Sequence, residues 1–206
     1  METTSMPTRT AVALAVLALV GLGSACSKSS SPSPAPAGTG SATAGALESN
    51  PSGDIPDNQA FVPFRDASGL FTVTVPEGWA QTTSGGAVVF SDKYNEIRVL
   101  TRSTPNAPSP TSVTNGDLPA IKASSKGFAA GGVSTVTRKA GVAVLATYRA
   151  NSAPNTVTGK YAVEAVERYS FYRSGHEVIL TLAAPVGSDN VDPWRKVTDS
   201  FSWLQP

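Results

Sequence analysis

From Phe61 onward, apolar positions recur at every second residue in one run after another, the signature of strands with one buried face. In Leu70 to Val75 the side chains of Phe71, Val73 and Val75 share one face, with Thr72 and Thr74 on the other. In Glu96 to Thr101, Ile97 and Val99 oppose Glu96 and Arg98. Further strands are predicted at Ala87–Phe90, Ser134–Arg138, Val142–Arg149, Tyr161–Tyr172 and Val178–Ala183. The links Ser91–Asn95 and Arg173–His176 are too short for anything but hairpins, so the sheet is expected to be largely antiparallel. Two stretches read as helices. One starts at Asp117 or Leu118, carries Pro119 in its first turn and runs to about Lys126. The other follows Asp192 as N-cap and Pro193 at the first helical position, with Trp194, Val197 and Phe201 forming an i, i+3, i+7 stripe. Pro105–Asn115 reads as an exposed loop. The expectation is an α+β fold, a largely antiparallel sheet with flanking helices.

The chain before Phe61 follows another pattern. Its opening, 1–10, is polar and carries Arg9, and Ala11–Gly23 is an uninterrupted small or apolar run. That run is too short to span a bilayer, which takes about 20 residues, and fits the apolar region of a secretory signal peptide. Met6 is an alternative start. The run ends Leu22-Gly23-Ser24-Ala25-Cys26, which resembles the lipobox of bacterial lipoproteins, although Gly23 stands where a branched apolar residue is usual. The resemblance implies that Cys26 is lipidated and becomes the mature N-terminus. Ordinary cleavage leaving a free exported thiol is the alternative. Ser, Ala, Pro, Gly and Thr dominate Ser27 to Ala60, and within Ser27–Gly45 only Lys28 falls outside those five types. Such a segment cannot offset its ordering entropy and is expected to be a disordered tether. Its composition also resembles O-glycosylated stalks, but a plain spacer is the simpler reading. The chain thus divides into a signal peptide (1–25), a lipidated Cys with its linker (26–60) and one domain (61–206).

Composition sharpens this division. All the aromatic residues lie at or after Phe61, so no earlier segment can build a core. The whole chain has 16 basic and 15 acidic residues, whereas 61–206 holds 14 basic against 11 acidic, an excess of three positive charges. Neither balance calls for a nucleic-acid partner. One Cys excludes an intrachain disulfide, and one His excludes any site needing two.

The segment Gly69-Leu70-Phe71-Thr72-Val73-Thr74-Val75-Pro76-Glu77-Gly78-Trp79 resembles the opening strand and turn of PsbP-like domains. Gly175–Thr181, followed by Asp192-Pro193-Trp194 and Ser200-Phe201, resembles that family's last long strand and C-terminal helix. The family includes extrinsic photosystem subunits and many actinobacterial lipoproteins, the LpqN-like group among them. The resemblance implies the fold but supplies no catalytic motif, metal ligand or cofactor to carry over.

Candidate chemistry is sparse. His176 stands beside Gly175 at a predicted turn, with no Gly-x-Ser-x-Gly elbow in the chain, and reads as a solvated histidine. Asp189 and Asp192 lack the spacing of a calcium loop, and Glu164 and Glu167 fall on opposite strand faces, which does not suit a glycosidase pair. Gly131-Gly132 opens no phosphate loop. Arg138, Lys139, Arg149, Arg168 and Arg173 read as a solvated face. Tyr161, Tyr169 and Phe171 alternate along one strand, and that row is either core or the lining of an apolar pocket. The expectation is a non-catalytic module, without metal or cofactor, anchored by lipid to the outer face of a cell membrane. It would bind an envelope protein or lipid, and the alternative is a carrier of an apolar envelope lipid.

Overall fold

The computed structural model describes residues 53–155 and 157–204. The expected signal peptide, Cys26 and the expected linker up to residue 52 lie outside the described residues. Among the described residues ten strands form two sheets, and every strand pairing is antiparallel. The smaller sheet orders β1 (Phe61–Arg65), β2 (Phe71–Pro76) and β10 (Ser202–Trp203) as β1-β2-β10. The larger comprises β3 (Ala80–Ser84), β4 (Ala87–Asp92), β5 (Asn95–Ser103), β6 (Ala129–Arg138), β7 (Gly141–Asn151), β8 (Val163–Arg173) and β9 (His176–Pro185). Its order is β3-β4-β5-β9-β8-β7-β6. The architecture is therefore the expected α+β fold.

The alternation read from the sequence places the core. Phe71, Val73 and Val75 of β2 share one buried cluster with Ile97 and Val99 of β5, Val178, Leu180 and Leu182 of β9, and Tyr169 and Phe171 of β8. Helix α3 (Val191–Ser200) adds Trp194 and Val197, and Phe201 follows it. Phe201 stacks on Phe171 with ring centroids 4.4 Å apart and leans on Phe71 at 5.4 Å, so the small sheet and α3 close one face of the large sheet. Each large apolar side chain buried in this way contributes about 1.5–3 kcal/mol. On β7, Ala143 joins this core while Val144 and Ala146 belong to a second cluster. There they pack against Val113 and Leu118 of a continuous helical segment made of α1 (Pro110–Ser112), a π-helical turn (Val113–Asp117) and α2 (Leu118–Ser124).

The structure corrects several expectations. The predicted loop at 105–115 turns helical at Pro110. Ser109 caps that helix by accepting from the Ser112 backbone N–H, while the Ser112 side chain accepts from the Ser109 N–H. Burial of Val113 fixes the segment to the sheet. Helix α3 begins at Val191, with Asn190 rather than Asp192 at the N-cap. Asn190 gives no cap bond because its side chain is committed elsewhere: its Oδ1 accepts from the Ile55 N–H at 2.8 Å, and its Nδ2 donates to the Gly53 carbonyl at 2.9 Å. Those two bonds also revise the domain boundary. Ile55 is buried, and Gln59 donates to the carbonyls of Ala60 and Glu77, so the stretch from Gly53 packs on the domain rather than belonging to a disordered tether that ends at residue 60. Strand β6 starts at Ala129, and its register shifts between Ala130 and Val133. Gly131 is required there, since a Cβ would run into the Thr147 backbone. The β8–β9 turn is a two-residue loop with Ser174 and Gly175 both at positive φ, the primed turn that a tight hairpin needs.

Candidate functional site

The residues singled out by sequence do not converge. Tyr169 and Phe171 are almost fully buried and stacked at 6.5 Å, and Phe171 lies under Phe201, so both belong to the core. Tyr161 precedes β8, which begins at Val163, and is 58% exposed. The three therefore form no common apolar lining: Tyr161 lies outside the strand whose alternation would have aligned it with the other two. The polar end of Tyr169 is satisfied internally. Its hydroxyl donates to Glu167 at 2.7 Å and accepts from Arg138 Nη2 at 2.8 Å. Burial, followed by the bond to Glu167, pushes this phenol up to about 12. His176 pairs across the sheet with Ser103 and Arg173, and among the described residues its imidazole has no hydrogen bond to a serine or a carboxylate. Among the described residues, no three His, Cys, Asp or Glu side chains form a metal-holding group.

Sequence reasoning missed an ionic cluster with two buried members, Arg168 and Glu177. Arg102 on β5 and Glu177 on β9 are register partners, and Arg102 Nε donates to Glu177 Oε2 at 2.5 Å. Arg102 also reaches Asp117 at 3.3 Å, where the π-helical turn ends, and Arg168 of β8 reaches the same carboxylate at 3.1 Å. Arg168 Nη1 further donates to Ser170 Oγ at 3.1 Å. Arg168 is thus not on a solvated face but buried, and so is Glu177, whose side chain is only 1% exposed. The hydrogen bond to Glu177, reinforced by both carboxylate charges, holds the Arg102 guanidinium above its ordinary value against burial. Glu177 Oε1 has no partner among the described residues. Arg102, Thr104, Asn106, Asp117 and Glu177 border a cleft of about 180 Å³ beside this cluster. No sequence spacing announces it, because β5 and β9 meet only through the sheet order.

Two larger depressions lie elsewhere on the described surface. One, of about 420 Å³, is bordered by Lys93, Tyr94, Glu96, Asn155 and Glu164. Burial first, and the charge of Glu96 second, raise the Glu164 carboxyl to about 7. Glu96 is raised by burial too, opposed by Arg98. The other, of about 440 Å³, is bordered by Gly131, Thr147, Tyr148, Arg149, Val166 and Glu167.

No family model matches the chain, and no curated protein matches it. Solved structures do. The cyanobacterial PsbP (CyanoP) of Synechocystis superposes with a TM-score of 0.51 at 15% identity, over 73% of this chain and 98% of that one. The fold is PsbP-like. The Ran-binding protein Mog1p of Saccharomyces cerevisiae gives a TM-score of 0.47 at 10% identity, covering 71% of this chain and 97% of its own. LpqN of Mycobacterium tuberculosis gives 0.43 at 14% identity, covering 72% and 93%. No helix among the described residues is long and apolar enough to cross a membrane.

Proposed function

We propose that this chain is an extracytoplasmic lipoprotein, anchored through Cys26, whose PsbP-like domain acts as a non-catalytic binding module of the cell envelope. One observation carries the choice of a surface binder over a carrier of apolar lipid. Tyr169 and Phe171, the side chains that would line a lipid cavity, are consumed by the core, and each of the three clefts described carries charged side chains on its border, Arg149 and Glu167 beside Tyr148 and Val166 in the most apolar of them. Catalysis has no support in the geometry around His176. The anchor rests on the residues themselves: the only cysteine follows the apolar run Ala11–Gly23 and the small pair Ser24-Ala25. A multiply acylated cysteine suffices for stable membrane attachment, which a single chain does not give.

Cys26→Ala tests the anchor. The substituted protein should move from the membrane fraction to the soluble extracytoplasmic fraction, and retention in the membrane would overturn the lipoprotein reading. Mass spectrometry of lipid extracted from the purified protein tests the carrier alternative. A stoichiometric apolar lipid held by the domain would replace the binding-module reading.

A further inference from the structure

We propose that the end of the domain bearing Val157, Tyr161, Val163, Val186 and Val191 docks on a lipid bilayer surface, an inference that rests on the reading of Cys26 as a lipid anchor. Of the large apolar side chains exposed among the described residues, these five lie in the segments that lead into β8 and that run from the end of β9 to the start of α3. The Val186 N–H donates to the Val163 carbonyl at 2.8 Å, which sets those two valines side by side. Tyr161 lies two positions before Val163. Val157 is 90% exposed at the tip of the β7–β8 loop. That tip is held in place: Asn155 Oδ1 accepts from the backbone N–H groups of Val157 and Thr158 at 3.0 and 2.9 Å, and the Asn155 N–H donates to the Lys160 carbonyl at 2.7 Å. Val157 so exposed contributes no burial to the fold.

The entry point of the chain identifies the occupant. Gly53, the first described residue, has its carbonyl bonded to Asn190, and a Cβ on it would collide with Pro185 and Ser188. Asp54 accepts from the Asp189 N–H at 2.9 Å, and Ile55 donates to Asn190. The chain preceding Gly53 therefore joins the domain beside Val186 and Val191. The stretch from Cys26 to Gly53 is short, with an r.m.s. reach of about 28 Å for a flexible chain of that composition. An anchored Cys26 keeps this end, rather than the β6–β7 turn at the opposite end of the sheet, within the tether's reach of the bilayer. The charges at this end are mainly acidic, Asp54, Asp92, Glu96, Glu164 and Asp189 against Lys93 and Lys160, so the contact is apolar and gains nothing from anionic lipid.

The test couples the chain from Cys26 to Pro206, which retains every described residue, through its only thiol to a maleimide lipid in phosphatidylcholine vesicles. Backbone hydrogen exchange is compared with the same chain coupled to a water-soluble maleimide. Exchange at 157–163 and at 186–187 should slow at least fivefold on vesicles, with the turn at 141–142, where Val142 is also exposed, unchanged. A Val157→Asp/Tyr161→Ser chain should lose that protection and keep the rest of its exchange pattern. Equal exchange on vesicles and in solution would overturn the docking surface, as would slowing that includes 141–142 or protection that survives the double substitution. Because the coupling is chemical, the outcome does not depend on whether cells lipidate Cys26, which the fractionation of Cys26→Ala reads separately.

Discussion

Glu164 shows how a single side chain registers its surroundings. Burial and the neighbouring Glu96 raise its carboxyl from 4.5 to about 7. An acid that binds its proton more tightly in the folded state stabilises the fold fully below its unfolded value. That contribution drains away as pH rises from about 4.5 through 7, and above this range the ionised carboxylate is a net cost. Glu164→Gln should therefore leave stability unchanged at pH 4 and raise it at pH 8. The gain is on the order of 1 kcal/mol once solvent screening of this part-exposed group is allowed for. Urea midpoints at the two pH values check this, and an equal shift at both would assign the effect to packing instead of ionisation. The residue scale is also where sequence says least. Glu164 and Glu167 are legible as lying on opposite faces, but nothing in the chain pairs Glu164 with Glu96, which belongs to a strand two places away in the sheet. The same blindness hid Arg168 and Glu177, charged residues inside apolar alternation that are tied to Asp117 on a helical turn, Arg168 directly and Glu177 through Arg102.

At the scale of elements, legibility followed the size of the buried face. Strands β2, β5, β8 and β9 and helix α3 bury enough alternating or periodic side chains to declare themselves. The strands β1, β3 and β10 do not. β1 contains Pro63 at an edge, β3 is Ala-Gln-Thr-Thr-Ser with every side chain exposed, and β10 is only Ser202-Trp203. The helical segment Pro110–Ser124 was half legible. Its Pro/Ser/Thr-rich start looks like loop, and only tertiary burial of Val113 and the Ser109 cap make it helix. What fastens that segment to the sheet besides Val113 and Leu118 is Asp117, gripped by Arg102 and Arg168. Asp117→Ala would strand the buried Arg168 guanidinium without a counter-charge, at a cost of about 3 kcal/mol. Chemical unfolding should show that loss, and hydrogen exchange should accelerate first in 113–124. Adding Arg168→Met removes the orphaned charge and should restore part of the stability. No recovery in the double variant would mean the ion pairs are not what holds the segment down.

At the scale of the whole molecule, the question is where the tether stops and the domain starts. Composition places that boundary at residue 60, since Ser, Pro, Ala and Gly dominate up to there and Leu47 and Ile55 are the only large apolar side chains of the linker. Packing places it at or before Gly53. The discrepancy arises because one isoleucine is no hydrophobic pattern, yet it suffices when an asparagine is placed to take its backbone N–H. Removing 53–60 exposes the surface that Ile55 covers, worth about 1.5–3 kcal/mol for a fully buried side chain. It also deprives Asn190, itself only 3% exposed, of its bonds to Ile55 and Gly53, adding on the order of 1 kcal/mol or more. A chain beginning at Phe61 should therefore unfold at lower denaturant than one beginning at Gly53, by about 2–4 kcal/mol. Ile55→Ala in the longer chain should account for roughly half of that difference. If the two chains unfold together, the 53–60 segment is an ornament of the surface and the tether extends to residue 60 after all. If they separate as expected, the tether enters the domain through a packed joint beside Asn190. That joint sets which end of the sheet the preceding chain leaves from, the end where β8 begins and β9 finishes.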